Sequence, residues 1–152
     1  MDHPITPTDA AALLGDRQSL DAVRRLERAL LQLPQVDLPT EHIMHGGLSA
    51  RTITIPAGTV LTGALTRLDN VCVVCGDITV TTDDGVRRLT GVHVIPASAG
   101  AKRAGVAHAD TTWVTLHRTD LQGAEAIEDE MSSESAQLLT RRAAVAHDGG
   151  AR

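Results

Sequence analysis

From Leu20 onward apolar residues recur at three- and four-residue steps, as Leu20, Val23, Leu26, Leu30 and Leu33, while Asp21, Arg24, Arg25 and Arg28 take the other side. That period predicts an amphipathic helix over 20–33, with Ser19 as its N-cap and Pro34 as its stop. Residues 1–18 carry Pro4 and Pro7 and predict a mobile start, with a short helical turn from Asp9 to Leu14 at most.

After Pro34, Pro39 and the Gly46-Gly47 pair, the period changes from three or four to two. Arg51 to Ile55 alternates, Pro56-Ala57-Gly58 turns, and Val60 to Thr62 resumes. Val71 to Thr81 sets Cys72, Val74, Ile78 and Val80 on one face, with a bend or bulge expected at Gly76-Asp77, and Asp83-Asp84-Gly85 predicts a hairpin turn. Val92 and Val94 then alternate with His93, and Thr112 to His117 alternates again, with Val114 and Leu116 expected to face inward. Short strands at regular spacing, with no helical pattern between Arg51 and His117, predict a mainly β fold: an antiparallel barrel or jelly roll with an N-terminal helix and a C-terminal helical extension. The extension is expected as two helical pieces, about 121–131 and 134–146, with Asp120 as N-cap and a frayed end from His147. The chain thus divides into a mobile start (1–18), the helix with its β domain (19–120) and the extension (121–152).

Composition constrains this domain in three ways. Aromatic residues make up 1% of 152, a single Trp without Tyr or Phe, so Val, Leu, Ile and Ala must build the core. The net charge is -5, with acids gathered at Glu125, Glu128, Asp129, Glu130 and Glu134, which excludes the basic footprint of a general nucleic-acid binder. Neither a membrane-length apolar run nor a secretory leader is visible, which predicts a cytosolic protein. Cys72 and Cys75 form a CxxC, but in a strand positions three apart point to opposite faces, so these are expected to be structural thiols that never meet.

The run RTITIPAGTVLTGAL, a Gly-Asp-Ile bend, DDGVRRLT and AGAKRAGVAHADTTWVTLH, preceded by Glu41-His42 and Gly47, resembles a group of small cupin-like proteins encoded by tailed bacteriophages and prophages. The resemblance spans about residues 20–130. It implies a cupin barrel, a place in the host cytoplasm or in the virion, and company among phage structural proteins. In cupins a His-x-His after a Gly-rich turn, and a later histidine shortly after a Gly, hold a divalent metal. The matching positions here are Ala64 to Asn70, without histidine, and Gly100-Ala101-Lys102-Arg103. The resemblance therefore implies a protein that has lost its metal slot and carries no cofactor.

The candidate ligand-contacting residues are Arg51, Arg67, Lys102 and Arg103, which could offer cationic donors to an anionic small molecule at the barrel mouth, together with His108, Trp113 and His117. Trp113 is equally suited to packing. Histidines His42, His45, His93, His108 and His117 lie in or beside the β region, so a relocated metal site in a cupin enzyme of isomerase or dioxygenase type is the rival reading. Ser49 and Ser98 lack a nucleophile-elbow context and the Gly-rich stretches lack the phosphate-loop pattern. No DNA-binding helix pair is visible. A binding protein without catalysis, self-associating as a homo-oligomer through the stripe on helix 20–33 or an outer sheet face, is the first reading.

Overall fold

The computed structural model describes residues 20–138. The expected turn at 9–14, the Ser19 cap and most of the second C-terminal piece lie outside those residues. The elements are α1 (Leu20–Leu30), β1 (Thr40–His45), β2 (Leu48–Ile55), β3 (Val60–Thr62), β4 (Asn70–Thr82), β5 (Gly85–Ala97), β6 (Ala104–Ala107), β7 (Thr111–Arg118) and α2 (Ala124–Met131), followed by a 3-10 turn at Ser135–Gln137. Among the described residues the strands form one curled antiparallel sheet, mainly β with a helix in front and one behind.

The curl comes from the long β4–β5 hairpin, whose register runs unbroken from Asn70↔Ala97 to Thr82↔Gly85. Along its other edge β4 changes partner: it pairs with β7 over Val71–Cys75 and with β6 over Ile78–Val80. Gly76 sits at the change. It has φ 149°, and a Cβ there would lie 2.5 Å from the Thr111 Oγ1 and 2.7 Å from the Thr111 Cα, so only glycine fits where β7 begins. Its cross-strand neighbour Gly91 also has positive φ. The expected feature at Gly76-Asp77 is thus a bend without a bulge against β5, since Gly76↔Gly91 and Asp77↔Thr90 stay in register.

Two half-sheets result, β1-β2-β7-β4-β5 and β5-β4-β6-β3, folded toward each other. Their facing sides bury Ile55, Cys72, Val74, Ile78, Val80 and Leu89, joined by Ile95, Ala97, Ala107 and Trp113 in one core. Cys72 is buried and Cys75 exposed, as alternation requires. The inward side of β7 is the opposite of that expected: Thr111, Trp113 and His117 are buried, while Val114 and Leu116 are only half-buried on the outer side. Hydrophobicity alone misassigns this strand because both of its faces carry apolar residues.

Helix α1 ends at Leu30, with Leu31–Leu33 continuing as turns rather than the helix expected to residue 33. Its stripe is spent largely within the chain. Val23 and Leu26 pack with Ala104, Val60 and Val86 on the outside of the β6 half-sheet, each burial contributing about 1.5–3 kcal/mol. The middle of the stripe is thus covered by the chain's own sheet, while Leu20 at its start stays 41% exposed. Helix α2 starts at Ala124 with Gly123 at its N-cap position, so Asp120 is not the cap.

Candidate functional site

Cross-strand register sorts the inner face of the β1-β2-β7-β4-β5 half-sheet into rungs. One rung joins Ser49 to His117, the next joins His42, Arg51, Thr115, Cys72 and Ile95, and the next joins Thr40, Ile53, Trp113, Val74 and His93. Polarity therefore falls along the strands: hydroxyl, imidazole and guanidinium groups at one end, Ile53, Ile55, Trp113 and Val74 at the other. The two half-sheets flank a half-open chamber of about 170 Å³ along this gradient. Ile78, Val80 and Leu61 complete its apolar wall, and Ile127, Glu128 and Met131 of α2 cover its polar end.

Helix α2 is pinned in place by the loop between β3 and β4. Arg67 N donates to Met131 O (2.7 Å), Ser132 Oγ to Leu65 O (2.5 Å) and Leu65 N to the Glu134 carboxylate (3.0 Å). Two imidazoles hold its chamber side, His42 Nε2 at 3.3 Å from Glu128 Oε1 and His117 Nε2 at 3.3 Å from Glu130 Oε2. Burial pulls the His42 imidazole below its ordinary value and Arg51 adds to this, against an opposing pull from Glu128. Burial likewise lowers the Arg51 guanidinium, against the Glu128 carboxylate, which favours its charged form.

Three buried polar atoms at this end have no hydrogen-bond partner among the described residues: Ser49 Oγ, Arg51 Nε and His42 Nδ1. Ser49 is wholly buried, with 0% exposure. An unpaired buried donor or acceptor costs about 1–3 kcal/mol, so the three mark where an incoming polar group would be stabilised.

The residues singled out from sequence separate into two groups. Arg51, Arg103, Trp113 and His117 line the chamber. Lys102 does not: its ammonium is fully buried between Glu27 and Glu134, each at 2.7 Å, and donates to Gly63 O at 2.8 Å, tying α1 and the 3-10 turn to the β3–β4 loop. Arg67 reaches the Asp129 carbonyl on α2. Arg103 lines the chamber with its charge already engaged, donating to Thr81 O (2.6 Å) and facing Asp83 at 3.2 Å. His108 is exposed on the far side, 2.8 Å from Thr79 Oγ1. Glu128 was missed as a site residue, while the sequence offers His42 and Ser49 only as a candidate metal ligand and a candidate nucleophile, not as polar groups at the end of a chamber. Nothing local in the sequence marks them, although Ser49 and Arg51 share parity with Ile53 and Ile55 on one strand.

At the cupin positions, Thr66, Arg67 and Lys102 are engaged within the chain and are not arranged as metal ligands. Thr66 donates its hydroxyl to Ala101 O, Arg67 and Lys102 are cationic and engaged, and among the described residues no three His, Cys, Asp or Glu side chains converge as a metal cluster. The displaced histidines do not gather either: His93 meets Thr90 O and His108 meets Thr79, outside the chamber that His117 lines.

No protein-family model matches the chain, and no curated protein matches it. Solved structures are similar in fold. KdgF from Halomonas sp. has a TM-score of 0.47 at 21% identity, covering 58% of this chain and 87% of that one. A cupin superfamily protein from Desulfitobacterium hafniense DCB-2 gives 0.46 at 12%, over 58% and 83%. An RmlC-like cupin family protein with a double-stranded β-helix fold from Methanocaldococcus jannaschii gives 0.45 at 10%, over 55% and 81%. These likenesses concern the course of the sheet and carry nothing about ligand or activity. No described helix is long and apolar enough to cross a membrane.

Proposed function

We propose that this is a non-catalytic, cupin-like protein that acts by holding a small molecule in its barrel. The phage-encoded proteins it resembles suggest two settings, a virion-associated component and an accessory protein; the chamber supports the accessory, ligand-binding form. One observation carries the reading: an apolar chamber of about 170 Å³ ends in buried, unpartnered Ser49 Oγ and Arg51 Nε. Ligand sites have this build, a mostly apolar wall with a few convergent polar groups. An apolar cavity of about 150 Å³ accepts benzene. The experiment is thermal unfolding with and without benzene. The wild type should melt higher with benzene, and Ala97→Leu, which fills the chamber wall at a buried alanine, should not respond. An unchanged melting temperature in the wild type would sink the reading.

The same proposal includes a homodimer, formed through the outer side of the β1-β2-β7-β4-β5 half-sheet. Ile43, Ala50, Leu116, Val71 and Pro96 form one outer rung, and Thr52, Val114, Val73 and Val94 the next. Ile43, Val92 and Val94 are 61%, 69% and 67% exposed. Five strands and two rungs cover on the order of 25 by 14 Å, the size of the largest apolar patch on a typical monomer, which is often functional. The second of these rungs also carries Glu41 on β1, opposite Thr52, so the apolar part of the face that suits a second copy lies over β7, β4 and β5, away from that edge charge. Light scattering at micromolar concentration should give twice the chain mass; a monomer mass would count against the interface.

A further inference from the structure

The cationic residues of the sequence suggest an anionic ligand, but the charges of the chamber wall are already balanced. Arg103 has Asp83 at 3.2 Å, and Arg51 shares the chamber lining with the Glu128 carboxylate of α2, whose ion pair, at 3.3 Å, is with His42 and not with Arg51, so the two lining charges balance in net terms without a direct bond. The remaining nearby cation, Lys102, is shared by two carboxylates behind the wall. An anion entering the polar end would meet the Glu128 carboxylate as well as the Arg51 guanidinium, so the lining offers it no net positive charge.

What the wall lacks is an acceptor. Arg51 Nε can only donate, and the Ser49 hydroxyl, two residues away on the same face of β2, is free to donate as well. A carbonyl or ether-like oxygen has two lone pairs and no charge, and so meets both without disturbing the Arg51–Glu128 balance. Beyond this point the space narrows to Ile53, Ile55, Ile78, Val80 and Trp113, which offer contact and no further hydrogen bond at the wall. Resting on the reading of the barrel as a ligand chamber, we infer that its ligand is an uncharged apolar molecule with one acceptor oxygen, its head toward Ser49 and Arg51 and its body against Trp113. A chamber of this class holds about six to eight non-hydrogen atoms.

The test compares three probes of one shape on the full chain: cyclohexanone, cyclohexane and cyclohexanecarboxylate. Calorimetry gives affinity and stoichiometry, and the emission of Trp113, the single tryptophan, reports occupation of the chamber. Cyclohexanone should bind once per chain and tightest, roughly tenfold tighter than cyclohexane, the gain of one good hydrogen bond to a charged donor. Cyclohexanecarboxylate should bind weakest. Ser49→Ala should weaken cyclohexanone about two- to tenfold and leave cyclohexane unchanged. Because it deletes an unpartnered buried hydroxyl, it should also leave the unliganded melting temperature unchanged or raise it. Preferred binding of the carboxylate, or equal binding of cyclohexane and cyclohexanone, would overturn the ligand class while leaving the chamber intact. A Ser49→Ala variant that melts lower yet keeps its affinity would show a purely structural serine and equally overturn the inference. Silence from all three probes would refute the chamber reading itself.

Discussion

The two faces of the β1-β2-β7-β4-β5 half-sheet are built from the same strands and differ in how polarity is distributed. The inner face grades from Ser49, His117, His42 and Arg51 to Ile53, Trp113 and Val74, and is closed over by α2 and the opposing half-sheet. The outer face is mostly apolar, with Ile43, Val71, Val92, Val94, Val114 and Leu116 beside Glu41, Thr52 and Thr112, and no described element of the chain packs over Val92 and Val94, which remain more than two-thirds exposed. A graded, covered face suits a small guest with a head and a body. A mostly apolar, open face suits another surface. Alternation along a strand is usually taken as one polar and one apolar side; here both sides are largely apolar, and what separates them is that the inner one is covered and keeps its polar groups at one end.

The largest effect should come from charging the open face. Val92→Lys combined with Val94→Lys is expected to convert the dimer wholly to monomer by light scattering while keeping chamber binding, since both side chains point away from it. A mass that stays dimeric would move the interface elsewhere. Next is the cation that holds the closed face shut. Lys102→Met strands Glu27 and Glu134 and should cost about 3–5 kcal/mol in denaturant unfolding, whereas a cost near zero would mean the triad is solvated.

Acid should act on the closed face first. His42 has its proton affinity lowered in the fold, so below its ordinary 6.5 the unfolded chain binds more protons and stability falls as pH falls. A second loss should follow below 4.5, where Glu134 is held low: burial works against its charged form but is outweighed by Lys102, the Leu65 N–H and Arg24. His42→Gln should remove the first decline and spare the second. If stability stays flat from pH 7 to 5 in the wild type, the burial of His42 is not as described.

The smallest effect is a chemical one. Cys75 lies on the open face and Cys72 on the closed one, where burial raises its thiol above the ordinary range. A thiol reagent should modify one cysteine in the native protein and two in denaturant. Modification of Cys75 should slow as protein concentration rises through the dimerisation range. Cys75→Ser should change stability by about 0.5 kcal/mol or less. Two reactive thiols in the native state would place Cys72 wrongly.

Much of the fold was legible because period is a local signal. The helix from Leu20, the hairpin at Asp83-Asp84-Gly85 and the split of Cys72 from Cys75 all follow from spacing of neighbours in the chain. The face of β7 was not legible, since Trp113 and Thr115 compete with Val114 and Leu116 and only the pairing with β2 and β4 decides which pair points in. The role of α1 was similarly hidden: an amphipathic stripe states that something is covered, and only the position of Ala104, Val60 and Val86 shows what. Of the site, Arg51, Trp113 and His117 come together in the chamber lining only through the pairing of β2 with β7. Lys102 was not readable, because its two carboxylates, Glu27 and Glu134, stand 75 and 32 residues away in the sequence. Ser49 shows the converse difficulty. A serine is marked out by having no partner, and absence of a partner exists only in three dimensions.

One measurement addresses the contrast between the faces directly: methyl NMR of the full chain titrated with cyclohexanone. The account requires saturable shifts in the methyls of Ile53, Ile55, Ile78 and Val80, with those of Val92 and Val94 unmoved. Shifts confined to Val92 and Val94, or inner methyls that stay still while the outer ones respond, would contradict it.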